Sequence, residues 1–220
     1  MAPPPSKAAA AAPPPRARAA VLAGKLPQRA SRRLGRGGTA LPGLVAARID
    51  GALVDRLASQ LNAAILVTGT NGKTTTARML ATILESSGRV VVHNRAGSNL
   101  MRGIAAALID AAGPSGTLPA NAVGVFETDE ATLPQAAAAV RPTALVIGNL
   151  SRDQLDRYGE IEAVRGQWLE TIARLPATTT VVLNADDPSV STLARAAAGP
   201  VVQFGIQDPD IAEASPAHGP

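Results

Sequence analysis

Six short apolar runs, at 63–68, 90–92, 122–126, 144–148, 180–183 and 201–204, are spaced by amphipathic stretches of helical length. The stretches between them lie at 72–87, 98–112, 132–140, 160–174 and 188–198. Several of the runs are rich in Val and Ile, which suits buried strands. Strands alternating with helices at this spacing predict an α/β fold, with a mainly parallel sheet covered by helices on both faces. Right-handed crossovers then bring every loop that follows a strand to one edge of the sheet, where open sheets bind ligands. Ahead of the first strand, apolar residues at 45, 49, 53, 54 and 57 predict a helix over Leu44–Leu61. Within 72–87, Met79, Leu80, Ile83 and Leu84 are expected to form the apolar face.

The first strand runs into Thr68-Gly69-Thr70-Asn71-Gly72-Lys73-Thr74-Thr75-Thr76. The order is strand, glycine-containing turn, helix start. Gly69 and Gly72 let the backbone turn sharply and approach a ligand. The N–H groups of the following helix start, with the helix dipole behind them, favour an anion. Lys73 would reach the β- and γ-phosphates of a nucleotide, and Thr74 would offer its hydroxyl to Mg2+. The general phosphate-loop pattern wants a further glycine where Val67 stands. Gly69, Thr70, Asn71, Gly72, Lys73, Thr74 and Thr75 are therefore the expected nucleotide contacts.

The other strand ends also carry polar residues. After 90–92 comes a loop with Asn94, Arg95, Gly97, Ser98 and Asn99, in which Ser98 is a natural N-cap. After 122–126 comes Glu127-Thr128-Asp129-Glu130. A carboxylate at that position is where phosphate-loop enzymes hold Mg2+, so Glu127 joins Thr74 as the expected metal pair. Asp129 and Glu130 read equally well as acids at a helix start. After 144–148 come Asn149, Ser151, Arg152, Asp153, Gln154, Asp156 and Arg157. After 180–183 comes Asn184-Ala185-Asp186-Asp187-Pro188, able to read a base or ribose, or to cap a helix through Asp187 ahead of Pro188.

Charge is unevenly spread. Nine of the 21 basic residues and none of the 17 acidic ones lie in residues 1–48, leaving the remainder acidic. With one Trp, one Tyr and two Phe, the acidic body lacks stacking platforms for single-stranded nucleic acid, so no nucleic-acid partner is expected. The Ala/Pro/Arg-rich stretch 1–38 has little to bury and is expected to be disordered. No cysteine is present, which excludes disulfides and cysteine-ligated metal. No apolar run approaches the ~20 residues needed to span a bilayer.

Taken together, these strings resemble the Mur ligase superfamily, ATP-dependent amide-forming enzymes of peptidoglycan precursor and folate chemistry. Thr68–Thr75 looks like that family's phosphate loop, which explains the absent first glycine. Three further strings, Asn94–Gly103, Glu127–Ala131 and Asn149–Glu160, are similar to the MurT family, the synthetase subunits of lipid II isoglutaminyl synthase. The resemblance runs from residue 39 to 206 and makes that stretch the central ATP-binding domain, with 207–220 a C-terminal remnant. It implies ATP and Mg2+ as cofactors, and lipid II as substrate. It implies as well a GatD-type glutaminase partner and a cytoplasmic protein at the inner face of the plasma membrane. The implied reaction phosphorylates the D-glutamyl α-carboxylate of lipid II, and ammonia converts the acyl phosphate to D-isoglutamine. Lys73 and Glu127 would be catalytic, and Asn184 would contact adenine. Asn94, Ser98, Asn99, Asn149 and Asp153 would lie toward the acceptor.

Three departures accompany the resemblance. Gln154 stands where most Mur ligases have a metal-contacting His, as is compatible with the MurT family. No lysine follows Lys73, so the carbamylated lysine of peptide-adding members has no counterpart. MurT proteins carry a four-cysteine zinc ribbon and a C-terminal ligase domain; without cysteine no zinc is expected, and the chain reads as the ATPase core without its lid. Two alternatives stay open, another Mur-type ligase such as a folylpolyglutamate synthase, and an ATP-binding module without ligase activity.

Overall fold

A computed structural model describes residues 13–33, 48–94, 99–151 and 158–206. Six strands form one parallel sheet in the order β2-β3-β1-β4-β5-β6. They are β1 Ala63–Thr68, β2 Val90–His93, β3 Ala122–Glu127, β4 Ala144–Ile147, β5 Thr180–Asn184 and β6 Val201–Phe204. All six apolar runs of the sequence are strands. The helices are α1 Pro15–Arg33, α2 Leu53–Ala58, α3 Lys73–Ser86, α4 Met101–Ala111, α5 Leu133–Val140, α6 Tyr158–Ala173 and α7 Pro188–Ser191, the last continued by a 3-10 turn over Thr192–Ala196.

The two faces of the sheet are packed unequally. Leu66, Val92, Phe126, Leu145 and Val181 point into the main core, which they share with Ile104, Leu108, Leu133, Trp168 and Leu193 from α4, α5, α6 and the 3-10 turn. On the other face Val67 and Val125 meet α3 through Ala77. The small Ala77 and Ala81 bring α3 close to the sheet, with Leu80 and Leu84 at its margins. Met79 and Ile83, expected on the apolar face, instead point outward at 60% and 62% exposure. At ~100° per residue Ala77/Ala81 and Leu80/Leu84 are only about 60° apart and share the face on the sheet, whereas Met79 and Ile83 fall nearly opposite the alanines.

Two further expectations are corrected. Pro15–Arg33 is helical, where composition predicts disorder for 1–38. Ala17, Ala20 and Val21 recur on one face and are buried in the main core. Alanine loses almost no side-chain entropy on burial, so a face this modest suffices. Arg16 Nε donates to Ile49 O at 2.7 Å and Lys25 Nζ to Asp110 O at 3.3 Å, fastening α1 to the body. The helix expected over Leu44–Leu61 is interrupted: among the described residues 48–49 are helical, the chain breaks at Asp50, and helix resumes only as the short α2. The chain turns at Asp50, whose Oδ1 accepts from Ala52 N at 3.1 Å and whose carboxylate takes both Nε and a terminal nitrogen of Arg56 at 3.0 and 3.2 Å.

The topology fixes where a ligand can enter. From β1 the chain crosses by α3 to the far edge strand β2, whereas β3 and β4 are each followed by helices packed on the opposite face. Loops leaving β1 and its two neighbours therefore diverge to opposite faces, which opens a crevice at the strand ends. Among the described residues no helix is long and apolar enough to cross a membrane.

Candidate functional site

The loop 69–72 lies in that crevice. Gly69 has φ 140°, and a Cβ there would press on Asn149 N at 3.0 Å and Asn149 O at 3.1 Å, so only glycine fits. Gly72, with φ 79°, is the left-handed N-cap of α3 and makes no side-chain cap bond. The first N–H groups of a helix have no intrahelical acceptor. Here they open on the crevice with no side chain capping them, a ready anion site.

The loop is strapped to the end of β4. Thr70 N donates to Asn149 O at 2.9 Å. Asn71 N donates to Asn149 Oδ1 at 2.8 Å, and Asn149 Nδ2 donates back to Asn71 O at 3.1 Å. Ser151 N donates to Thr70 Oγ1 at 3.0 Å, and Asn71 Nδ2 to Ser151 Oγ at 3.2 Å. Asn149, expected toward the acceptor, pairs its side-chain amide with Asn71 of the loop 69–72.

On the other side stands the end of β3. The Thr74 hydroxyl lies 2.9 and 3.0 Å from the two carboxylate oxygens of Glu127. Adjacent oxygens around an octahedral Mg2+ with bonds of ~2.1 Å lie about 3 Å apart. Two hard oxygen donors at that spacing fit Mg2+, which needs only one or two protein ligands when phosphates supply the rest. Among the described residues no group of three or more His, Cys, Asp or Glu side chains comes together as a metal site. Asn94, at the end of β2, clamps Glu127 as Asn149 clamps Asn71. Glu127 N donates to Asn94 Oδ1 at 2.9 Å, and Asn94 Nδ2 donates to Glu127 O at 2.9 Å. Asn99 adjoins Asp129 through Asp129 N to Asn99 O at 2.8 Å.

Lys73 Nζ donates to Gly69 O, to Thr70 O at 3.0 Å and to Glu130 Oε1 at 3.2 Å. Thr75 lies exposed on the first turn of α3. Asn184 ends β5, two strands from β1 and therefore roughly 10 Å across the sheet, with its Oδ1 accepting from Asp186 N at 3.0 Å. Asp187 caps α7, as the plainer reading expects, and its Oδ2 also accepts from Leu150 N at 2.8 Å. Ser98 and Asp153 lie outside the described residues. Neither the Glu130 contact nor the two asparagine clamps is legible in the sequence. All three are pairings between loops that only the strand order brings together.

The family profile of the Mur ligase middle domain matches residues 67–218. The chain belongs to the Mur ligase family. It is 36% identical over 188 residues to "Lipid II isoglutaminyl synthase (glutamine-hydrolyzing) subunit MurT" of Staphylococcus aureus (strain COL), covering 86% of this chain and 41% of that protein. The protein of the same name from Streptococcus pneumoniae (strain ATCC BAA-255 / R6) is 38% identical over 168 residues, 76% of this chain and 36% of its own length. This Mur ligase chain thus spans about two fifths of these curated relatives. Among solved structures, MurF from Acinetobacter baumannii superposes with a TM-score of 0.60 at 22% identity, covering 76% of this chain and 35% of that one. That likeness shows a shared fold with the Mur ligases.

Proposed function

We propose that this chain is the ATP-binding core of an amide-forming ligase whose acceptor is the D-glutamyl α-carboxylate of lipid II. The observation that carries the reading is the Thr74–Glu127 pair, two oxygen donors at ligand spacing beside Lys73 and the uncapped start of α3. The choice of acceptor rests on the MurT relatives, which carry lipid II and glutamine hydrolysis in their names.

In this reading the N–H groups of α3 and the Lys73 ammonium hold the β- and γ-phosphates, with Asn184 on the adenine side. Thr74 and Glu127 hold Mg2+, which when bound supplies Lewis-acid charge to the phosphate oxygens. The substrate carboxylate attacks the γ-phosphorus, and ADP leaves with the electrons of the broken P–O bond. Ammonia adds to the carbonyl carbon of the acyl phosphate and loses a proton, and inorganic phosphate departs to leave the primary amide. The protein's part is to position the reactants and stabilise charge, which is most of what phosphoryl transfer asks of an enzyme. Ammonia comes from a GatD-type glutaminase partner, and the lipid-linked acceptor puts the work at the cytoplasmic face of the membrane.

The test is lipid II amidation with ammonium chloride and ATP, by the chain alone and with a MurT-type C-terminal segment added in trans. The reading expects amide to form in at least one of the two arrangements, and none in either with Lys73→Ala. ATP binding without amidation in either arrangement would overturn it in favour of a nucleotide-binding module.

A further inference from the structure

Glu130 has no part in the chemistry above, yet its carboxylate holds Lys73. An ammonium has three N–H donors and no acceptor. All three have acceptors here: Gly69 O, Thr70 O and Glu130 Oε1. The Lys73 and Glu130 side chains are only 10% and 15% exposed, so water screens their attraction less than that of a surface ion pair. A phosphate oxygen can bond to Lys73 only by displacing one of these three partners.

Two of the three are hard to displace. The Gly69 and Thr70 carbonyls belong to the loop that Asn149 and Ser151 strap to the sheet. Glu130 is fastened differently. Its backbone oxygen accepts from Nε1 of Trp168 at 3.2 Å, and Trp168 is fully buried. The indole fixes the main chain of Glu130 and leaves the carboxylate to its own side-chain torsions. A polyphosphate arriving at α3 also repels that carboxylate while attracting Lys73.

We propose that Glu130 is a positioning residue that holds Lys73 in a phosphate-like contact before nucleotide arrives and yields it to the incoming phosphate. Nucleotide affinity is then set by the exchange of one anion for another on Lys73. The inference rests on the nucleotide-site reading and adds to it a residue that weakens binding while keeping Lys73 aimed.

The sign of the effect separates this role from a purely structural one. Glu130→Gln keeps the shape and an oxygen for Lys73 but removes the competing charge. Isothermal titration of the full chain with ATP and, separately, with pyrophosphate, each with Mg2+, reads the outcome. Glu130→Gln is expected to bind both on the order of ten-fold more tightly than wild type, the scale of a charge-assisted hydrogen bond. The gain is expected to vanish when Lys73→Ala is also present. Should Glu130→Gln lower the melting temperature, Glu130→Ala is expected to show the same tightening. Equal or weaker binding by the variants, with wild-type binding intact, would overturn the inference. So would a gain that persists undiminished beside Lys73→Ala. A wild-type chain that binds neither ligand would overturn the nucleotide-site reading itself, and the inference with it.

Discussion

Asn94 and Asn149 do the same work on opposite sides of the loop 69–72. Each uses a carboxamide, donor and acceptor together, to pair with the N–H and C=O of one residue, Glu127 at the end of β3 or Asn71 in the loop after β1. Such a two-way bond fixes both position and orientation of the loop, which neither Ala nor Asp can reproduce. Asn149→Ala is expected to raise the ATP dissociation constant by about ten-fold, since two hydrogen bonds at ~1 kcal/mol each no longer preorganise the loop. Asn149→Asp should weaken binding further, because it loses the donor to Asn71 O and adds negative charge beside the phosphates. Isothermal titration measures both, and equal affinity in all three proteins would contradict the clamp. The sequence marks both asparagines by their place at strand ends. It does not show that their amides serve the protein's own backbone, because their partners lie 33 and 78 residues away.

At the scale of elements, the strands are the most legible part of the chain. All but the exposed edge strand β6 bury residues on at least one face, their Val- and Ile-rich runs stand out against the helices, and the parallel order follows from the alternation. Helix α1 is the least legible, because its buried stripe is made of Ala17, Ala20, Val21 and Gly24, which weigh little in any hydrophobicity count. Small residues dock by close approach, and only the surface they meet on α4 shows that they do. Ala20 has no exposed surface. Ala20→Glu should therefore undock α1, since an unpaired buried carboxylate costs more than the contacts return. Limited trypsin digestion is expected to cut α1 much faster in this variant, with the melting temperature of the body lowered by only a few degrees. Unchanged digestion would show that α1 does not depend on that face. Helix α3 shows the converse: its larger apolar residues Met79 and Ile83 catch the eye, but Ala77 and Ala81 make the contact.

For the molecule as a whole, Asp50 joins the turn before α2 to α1 through their shared charges. Burial acts to raise its pKa, but the hydrogen bonds from Arg56 and Ala52 N–H, with the charges of Arg56 and Arg16, outweigh this and leave it below the ordinary carboxylate value. A carboxyl whose pKa is lowered by folding contributes stability above its unfolded pKa of about 3.9 and loses that contribution as pH falls through the lower folded value. Asp50→Asn should remove this contribution and flatten the acid limb of the stability profile. At neutral pH the variant should be less stable by about 1–2 kcal/mol, a modest figure because Arg56, 45% exposed, regains water. Urea unfolding at pH 7 and at pH 3 checks both statements, and parallel pH profiles for the two proteins would contradict them.

We read the edge formed by β1, β3 and β4 as a Mg2+–nucleotide site built on Lys73, Thr74 and Glu127. The decisive quantity is the affinity of the chain for ATP with Mg2+ and with excess chelator, in wild type, Lys73→Ala and Glu127→Gln. Wild type should bind ATP, and bind it more tightly with Mg2+. Lys73→Ala should lose most of the affinity, and Glu127→Gln the Mg2+-dependent part. ATP binding that ignores Mg2+ and survives Lys73→Ala undiminished, or no binding by wild type at all, would contradict that reading.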